Sequence, residues 1–459
     1  MMTESKLSFK HYLIIASMLF GMFFGAGNLI FPIHLGQLAG NHWLSAGLGF
    51  LITGTLLPLL AIIAISITKS TGIYDLARPI GHKYALFLMI LICATLGPLF
   101  ATPRTATVPF QIAFASHITK AQQPLALFIY SLIFFAIIFF ISRKPAGIID
   151  TIGKLLNPMF LALLAIIFFI AFTQPMGQAN LQTASTATYL HGSFLQGFLQ
   201  GYNTMDAIAG LLFGIAIVTA IRHLGAKNSQ DISWTTIKSG ILGIGLEALI
   251  YLILIWIGAT SLAHFKVSAD GGIAFNQITN HFMGLTGEII LGIMSTLTCM
   301  TTAAGLSTSF AEALHERFHK LSYQQWNFLT CLLSFIIANF GLDTIIAWST
   351  PMLMFLYPLA ITLIILAIAS PLFGRDHRVY QWTTAFTLIP AILDALASFP
   401  PIISKSGWAQ ALLSLDHQFL PFAQYGLDWF IPALIGLAIG LLIHFTTAKA
   451  PLSATDMNN

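Results

Sequence analysis

The 459 residues carry 8% charged side chains against 57% hydrophobic ones, with a mean hydropathy of +0.83 and a formal net charge of +4. A water-soluble domain needs about 25% charged residues to clothe its surface, so most of this surface faces lipid, and a soluble enzyme or nucleic-acid binder is excluded. Continuous apolar runs at 125–141 and 161–172 lack the alternation of a membrane barrel, which leaves helices to satisfy the backbone inside a bilayer.

A hydrocarbon core of ~30 Å takes ~20 apolar residues per crossing, and twelve segments qualify: 11–38, 43–68, 84–117, 124–142, 150–173, 194–221, 236–263, 286–314, 324–340, 344–370, 379–398 and 428–446. The first is too long and lacks a small-residue cleavage site, so it reads as a span and not as a removed leader. Lysine and arginine collect on the cytoplasmic side. With the N-terminus inside, sixteen of the 20 Lys and Arg fall inside, among them Lys6, Lys144, Lys227 and Lys449. Three (Lys120, Lys266, Lys405) fall outside, and Arg104 lies within a span. The expectation is an all-α membrane protein of twelve transmembrane helices, one domain over 1–459, with both termini cytoplasmic. The lipid bilayer is its surroundings and no nucleic acid is a partner.

Such a chain works at its polar exceptions. The first span holds Gly21-Met-Phe-Phe-Gly25-Ala26-Gly27-Asn28-Leu-Ile-Phe-Pro32. Gly21 and Gly25 at i, i+4 make a close-packing face, but Asn28 and Pro32 ask for more, and a helix broken near the midplane supplies it. Broken helices offer N–H groups to a carboxylate and carbonyls to a cation. The third span, Gly97-Pro98-Leu-Phe-Ala-Thr-Pro103-Arg104-Thr-Ala-Thr-Val-Pro109, is made irregular by three prolines, and Arg104 within it either gates the protein or forms a structural ion pair. The sixth span holds Gln200-Gly201-Tyr202-Asn203-Thr204-Met205-Asp206, a polar run that should face a cavity. Spans one and six hold equivalent places in two five-helix halves of opposite topology, as an inverted repeat requires.

On span seven, Glu247 shares a side with Gly240 and Gly243 and is either a protonated structural group or a carrier of a coupling proton. On span eight, Thr298, Thr301, Thr302 and Gly305 share one face, with Glu312 two turns on. Threonine hydroxyls bond back to the i−4 carbonyl in many helices; beside a broken first helix they also suit the oxygen shell of a small hard cation. His315-Glu316-Arg317-Phe318-His319 at the end of this span fits the H-E-x-x-H pattern of zinc metalloproteases but has no evident third ligand. A channel would need rings of groups from repeated subunits, whereas this chain has one asymmetric set of polar exceptions. Asp394 near the outer end of span eleven is expected to reach the interface. Cys93, Cys299 and Cys331 have no metal-ligand spacing and read as small core residues.

Three stretches together resemble a known family. Phe24-Gly-Ala-Gly-Asn-Leu-Ile-Phe-Pro32, the run Gly97 to Ala106, and Gly201-Tyr-Asn-Thr-Met-Asp-Ala207 are similar to signatures of the bacterial branched-chain amino acid:cation symporters, and the likeness runs along essentially the whole chain. The resemblance implies a LeuT-type five-plus-five inverted repeat (11–173 and 194–370) with two additional helices (379–446). It also implies a bacterial cytoplasmic membrane and import of leucine, isoleucine or valine with sodium as a co-transported ligand, and with no other cofactor; proton coupling in the same fold is the alternative. By the same likeness, N–H groups of Gly25, Ala26 and Gly27, with Asn28, hold the substrate carboxylate. Tyr202, Asn203 and Thr204 face its ammonium and side chain. Carbonyls of Gly21 and Phe24 with hydroxyls of Thr301 and Thr302 hold sodium, and Asp206, Glu247 and Arg104 serve coupling or gating. Asn203 departs from the apolar residue expected at its place.

Overall fold

The structure, a computed structural model, describes residues 8–115, 117–143, 148–226 and 229–447, without the side chains of 148–157, 215, 229–230 and 417. Lys6, Lys144, Lys227 and Lys449, which entered the orientation argument, lie outside the described residues. Helix follows helix throughout: α1 (Phe9–Phe23), α2 (Ala26–Ala39), α3 (Trp43–Leu51), α4 (Leu57–Thr68), α5 (Ile73–Ala77), α6 (His82–Ala94), α7 (Ala101–Ala113), α8 (Gln123–Ile141), α9 (Ile148–Thr173) and α10 (Ala187–Gln200). They continue as α11 (Asp206–His223), α12 (Ser229–Ser261), α13 (Gly271–Arg317), α14 (Tyr323–Ala338), α15 (Leu342–Ala369), α16 (His377–Ser398), α17 (Pro401–Ser404), α18 (Gly407–Phe419) and α19 (Phe430–Thr447). Each of the twelve segments expected from the sequence is mostly helical among the described residues. Seven helical runs among the described residues are long and apolar enough to cross a membrane unaided. An eighth consists of Asp206–Gly214 and Ala216–His223, meeting at 46°.

The breaks fall where composition demands them. Helix α1 stops at Phe23 because Phe24 and Gly25 are extended (ψ 97° and −160°), and α2 restarts at Ala26. The third span opens into a wide turn at Thr95–Leu99, where Gly97 leaves helical geometry before Pro98, and resumes as α7. Between α10 and α11, Gly201–Thr204 tightens into a 3₁₀ turn and Met205 takes a left-handed φ of 64°. Helix α13 is two helices: Gly284, at φ 60°, separates a short first helix from the long span that follows. That short helix, and α17 and α18 between the last two spans, were not expected from the sequence.

Packing pairs α2 with α12, α3 with α10, α4 with α11, α7 with α13 and α16 with α19. The α2–α12 seam is a close approach: a Cβ on Gly36 would stand 1.9 Å from the Ile255 carbonyl oxygen, and one on Gly258 2.1 Å from that of Ile33. Gly36→Ala therefore forces the two backbones apart. It should destabilise the fold by about 3 kcal/mol, at the upper end of overpacking effects, seen as loss of the monodisperse species on size exclusion; an unchanged profile would contradict the seam. Outward-facing Phe140, Phe169 and Ile389 are 64–69% exposed, as a lipid-facing surface requires. Asp394 does not reach the interface: it is 4% exposed, because α18 and the loop before α19 fold over it.

Candidate functional site

The two breaks face each other across one cavity. Its wall comprises Gly25, Ala26, Gly27 and Asn28 from the first break, Asn203, Thr204, Met205 and Asp206 from the second, Arg104 and Thr105 from α7, and Thr302 from α13. Met22, Phe23, Leu96, Ala101, Ala209, Phe213 and Leu306 make the rest apolar. The cavity measures about 40 Å³, room for ~3 waters.

Asn28 is the hub. Its Oδ1 accepts from the Gly25 N–H at 3.0 Å, closing the first turn of α2. Its Nδ2 donates to Asp206 Oδ2 at 2.7 Å, to Glu247 Oε1 at 3.1 Å and to the Tyr251 hydroxyl. Tyr251 in turn donates to Glu247 Oε1 at 2.7 Å and stands 3.3 Å from Asp206 Oδ2. Two carboxyl groups, 3% and 1% exposed, thus share the donors of one amide and one phenol. No cation is paired with either among the described residues. A buried charge pair of like sign is expensive, so this position binds something positive or holds a proton.

Arg104 is 2% exposed and pairs with no carboxylate among the described residues. Its Nη1 donates to the Asn203 carbonyl at 2.9 Å, its Nη2 to Ser349 Oγ, and its Cζ lies 5.2 Å from the Phe31 ring centre. The guanidinium thus pins the 201–204 turn to α7 and α15. Thr204 Oγ1 bonds the Gly201 carbonyl and accepts from the Asp206 N–H, and Asn203 Nδ2 bonds Gln200 Oε1 at 3.1 Å.

Several expected site residues lie outside the cavity wall. Tyr202 turns away and stacks on Tyr357 with ring centres 4.0 Å apart. Gly21, Phe24 and Thr301 are not in the wall, and Glu247 stands behind Asn28. Thr301 and Thr302 both bond back to the Thr298 carbonyl, at 2.7 and 3.4 Å. Thr302 nonetheless faces the break, since a Cβ on Gly25 would lie 3.3 Å from its Oγ1. Glu312, expected to extend the threonine stripe, is exposed. Tyr251 and Ser349 were missed. Tyr251 carried a signal, standing one helical turn from Glu247 on the same face.

The H-E-x-x-H stretch gains no third ligand from the fold. His315 Nδ1 is engaged by the Leu321 carbonyl at 2.9 Å, and Arg317 stacks on Tyr74. Among the described residues no group of three or more His, Cys, Asp or Glu is arranged to hold a metal.

Comparisons with known proteins agree with this architecture. Two solved structures share the fold: MhsT in complex with L-phenylalanine (TM-score 0.58, 17% identity, covering 95% of this chain and 99% of that one) and Mhp1, a nucleobase-cation-symport-1 family transporter (TM-score 0.61, 12% identity, 97% and 94%). The LeuT-type fold implied by the three signatures is therefore the fold observed. The branched-chain amino acid permease BrnQ of Lactobacillus delbrueckii subsp. lactis is 43% identical over 439 residues, 95% of this chain and 97% of that protein. The model of the branched-chain amino acid transport protein family matches residues 8–447. The protein is a transporter and not an enzyme, a multi-pass membrane member of the branched-chain amino acid transport protein family.

Proposed function

We propose that this protein is a secondary active symporter that imports leucine, isoleucine and valine with sodium. Its place is the bacterial cytoplasmic membrane, where twelve crossings leave both termini inside. One observation carries the reading: two broken helices converge on a single cavity whose wall is polar at the breaks and apolar elsewhere. A zwitterion with an aliphatic side chain needs that combination. The first-turn N–H groups of α2, at Ala26 and Gly27, present the positive end of a helix dipole to the substrate carboxylate. Gly25 contributes less than the sequence suggested, because Asn28 already takes its N–H. The ammonium meets the carbonyl end of the 201–204 turn and the Asp206 carboxylate. The side chain lies among Met22, Leu96, Phe213 and Leu306, where burial of a leucine side chain stabilises the complex by about 1.5–3 kcal/mol.

The cavity as it stands is smaller than a leucine, so binding requires its walls to part. In the alternating-access cycle we propose, segments 11–173 and 194–370 are the two inverted repeats, and spans 1, 2, 6 and 7 rock against 3, 4, 8 and 9. Sodium sits between the first break and Thr302, with Thr301 and the carbonyls of Gly21 and Phe24 completing its shell as α1 tilts. Each ligand favours the same closed state, so each raises the other's affinity by the same factor. Competition tests the substrate class: isoleucine and valine should displace leucine from the purified protein, and lysine and glutamate should not. Displacement by lysine would overturn it.

Two variants separate the coupling ions. Thr302→Ala should raise the sodium concentration for half-maximal uptake about tenfold, the loss of one ion-bound hydroxyl being worth ~1.5 kcal/mol. An unchanged value removes Thr302 from the ion's shell. Glu247→Gln keeps the shape and hydrogen bonds of the hub while removing a proton carrier, so sodium-driven uptake should survive it; loss of uptake would favour proton coupling through Asp206 and Glu247.

A further inference from the structure

The last turn of α13 borders a second cavity, to which the transport reading gives no task. It measures about 230 Å³, room for ~15 waters, and shares no wall residue with the first cavity. On α6 its wall includes Met89, about two turns before Leu96, and on α13 Arg317, about three turns beyond Leu306. Phe310 lies between, its ring so near Gly97 that a Cβ there would stand 2.6 Å from it. Exposed Lys69, Lys83 and Lys320 flank the same helix ends, so the lysine and arginine bias turns this cavity to the cytoplasm.

Its wall holds fixed charges that the protein itself leaves unpaired. Arg317 Cζ lies 4.5 Å from the Tyr74 ring centre, and the Tyr74 hydroxyl bonds His82 Nδ1. The guanidinium is thus held by an aromatic face, and no carboxylate among the described residues pairs with it. Held this way, it can take a ligand carboxylate through two parallel bonds. Asp75 and Glu316 border the same cavity, and no basic side chain among the described residues pairs with either. Asp75 Oδ2 accepts from the Thr71 N–H at 3.1 Å, which fixes its place, while nearby Arg375 bonds the Thr68 and Asp75 carbonyls instead. These two carboxylates suit an ammonium. Met89, Leu211 and Leu212 make part of the wall apolar. A metal ion fits less well: Arg317 repels it, and no group of three acids, histidines or cysteines among the described residues is arranged to hold one.

We propose that this cavity is a second amino-acid site, which takes zwitterions with apolar side chains from the cytoplasm. Arg317 receives the carboxylate, Asp75 and Glu316 the ammonium. The walls come from both parts of the proposed rocking cycle: Leu211 and Leu212 of span six and the 71–75 segment after span two on one side, Met89 of span three and Arg317 at the end of span eight on the other. A ligand touching both favours the arrangement in which they meet and opposes its change. Accumulated leucine therefore slows further uptake from this site. The braking role rests on the transport reading; the binding does not.

Binding of radiolabelled leucine to the purified full chain, in sodium buffer and in sodium-free choline buffer, tests the site. Sodium-free binding should be saturable and should weaken about tenfold or more in Arg317→Ala, while the sodium-dependent component stays unchanged. Leu212→Trp, which fills the cavity from another helix, should remove the same component. Leucinamide, which lacks the carboxylate, should not compete for it, and competition would refute the role of Arg317. A sodium-free component that both variants leave intact, or no such component at all, would overturn the site. Sodium-free, Arg317-sensitive binding with no sodium-dependent binding would keep the site and sink the symporter reading instead. Leucine preloaded into proteoliposomes should then slow initial uptake by the parent and not by Arg317→Ala; equal slowing in both would refute the brake.

Discussion

Replacing Asn28 by alanine should reduce leucine uptake by about a hundredfold or more at equal amounts of protein in the membrane. The amide does three things at once: it closes the first turn of α2 on the Gly25 N–H, donates to Asp206, and donates to Glu247. Each hydrogen bond to a charged group is worth about 1.5–3 kcal/mol. Losing two withdraws about 3 kcal/mol or more from the state that joins both breaks, and 1.4 kcal/mol is a factor of ten. Asn28→Asp should fail as badly, because it places a third carboxyl among two that already share donors. Initial uptake rates check both variants, and more than a tenth of the parent rate in either would mean that the hub is not required.

Arg104→Ala should produce a loss of similar size, and Arg104→Lys should not rescue it. The guanidinium reaches the Asn203 carbonyl and Ser349 through two nitrogens set in a rigid plane. A lysine ammonium is a point donor on a flexible stem and cannot hold both. Removing the side chain leaves a buried carbonyl unsatisfied, at about 1–3 kcal/mol, and takes a basic group out of the cavity wall. Uptake rates and leucine affinity separate the two roles. Affinity should fall with the rate if Arg104 holds the 201–204 turn in place; a full rate in the lysine variant would show that charge alone suffices.

Much of this was legible in the sequence because bilayers are strict. Scarce charge and long apolar runs have one helical solution, and the polar runs at Gly25–Asn28 and Asn203–Asp206 mark where that solution is interrupted. Both breaks lie where those runs stand, and Gly97–Pro98 interrupts the third span as its prolines implied. What stayed hidden was pairing. Asn28 meets Asp206 and Glu247 across 178 and 219 residues of sequence, and a single chain carries no record of such contacts. The threonine stripe of α13 was legible as a face, but the stripe did not say which hydroxyl meets the first break; the structure turns Thr302 there and leaves Thr301 outside the wall. Asp394 misled because hydropathy places a residue by its depth along a helix. Whether a neighbouring segment covers it depends on packing, and here α18 and the following loop do.

The account's central claim is concentrative, cation-driven transport, and proteoliposome uptake of radiolabelled leucine tests it most directly. With an inward sodium gradient, internal leucine should rise above the external concentration and fall back when the gradient is collapsed, while isoleucine and valine compete. Leucine that only equilibrates, or fails to enter under inward sodium and inward proton gradients alike, would contradict the symporter reading.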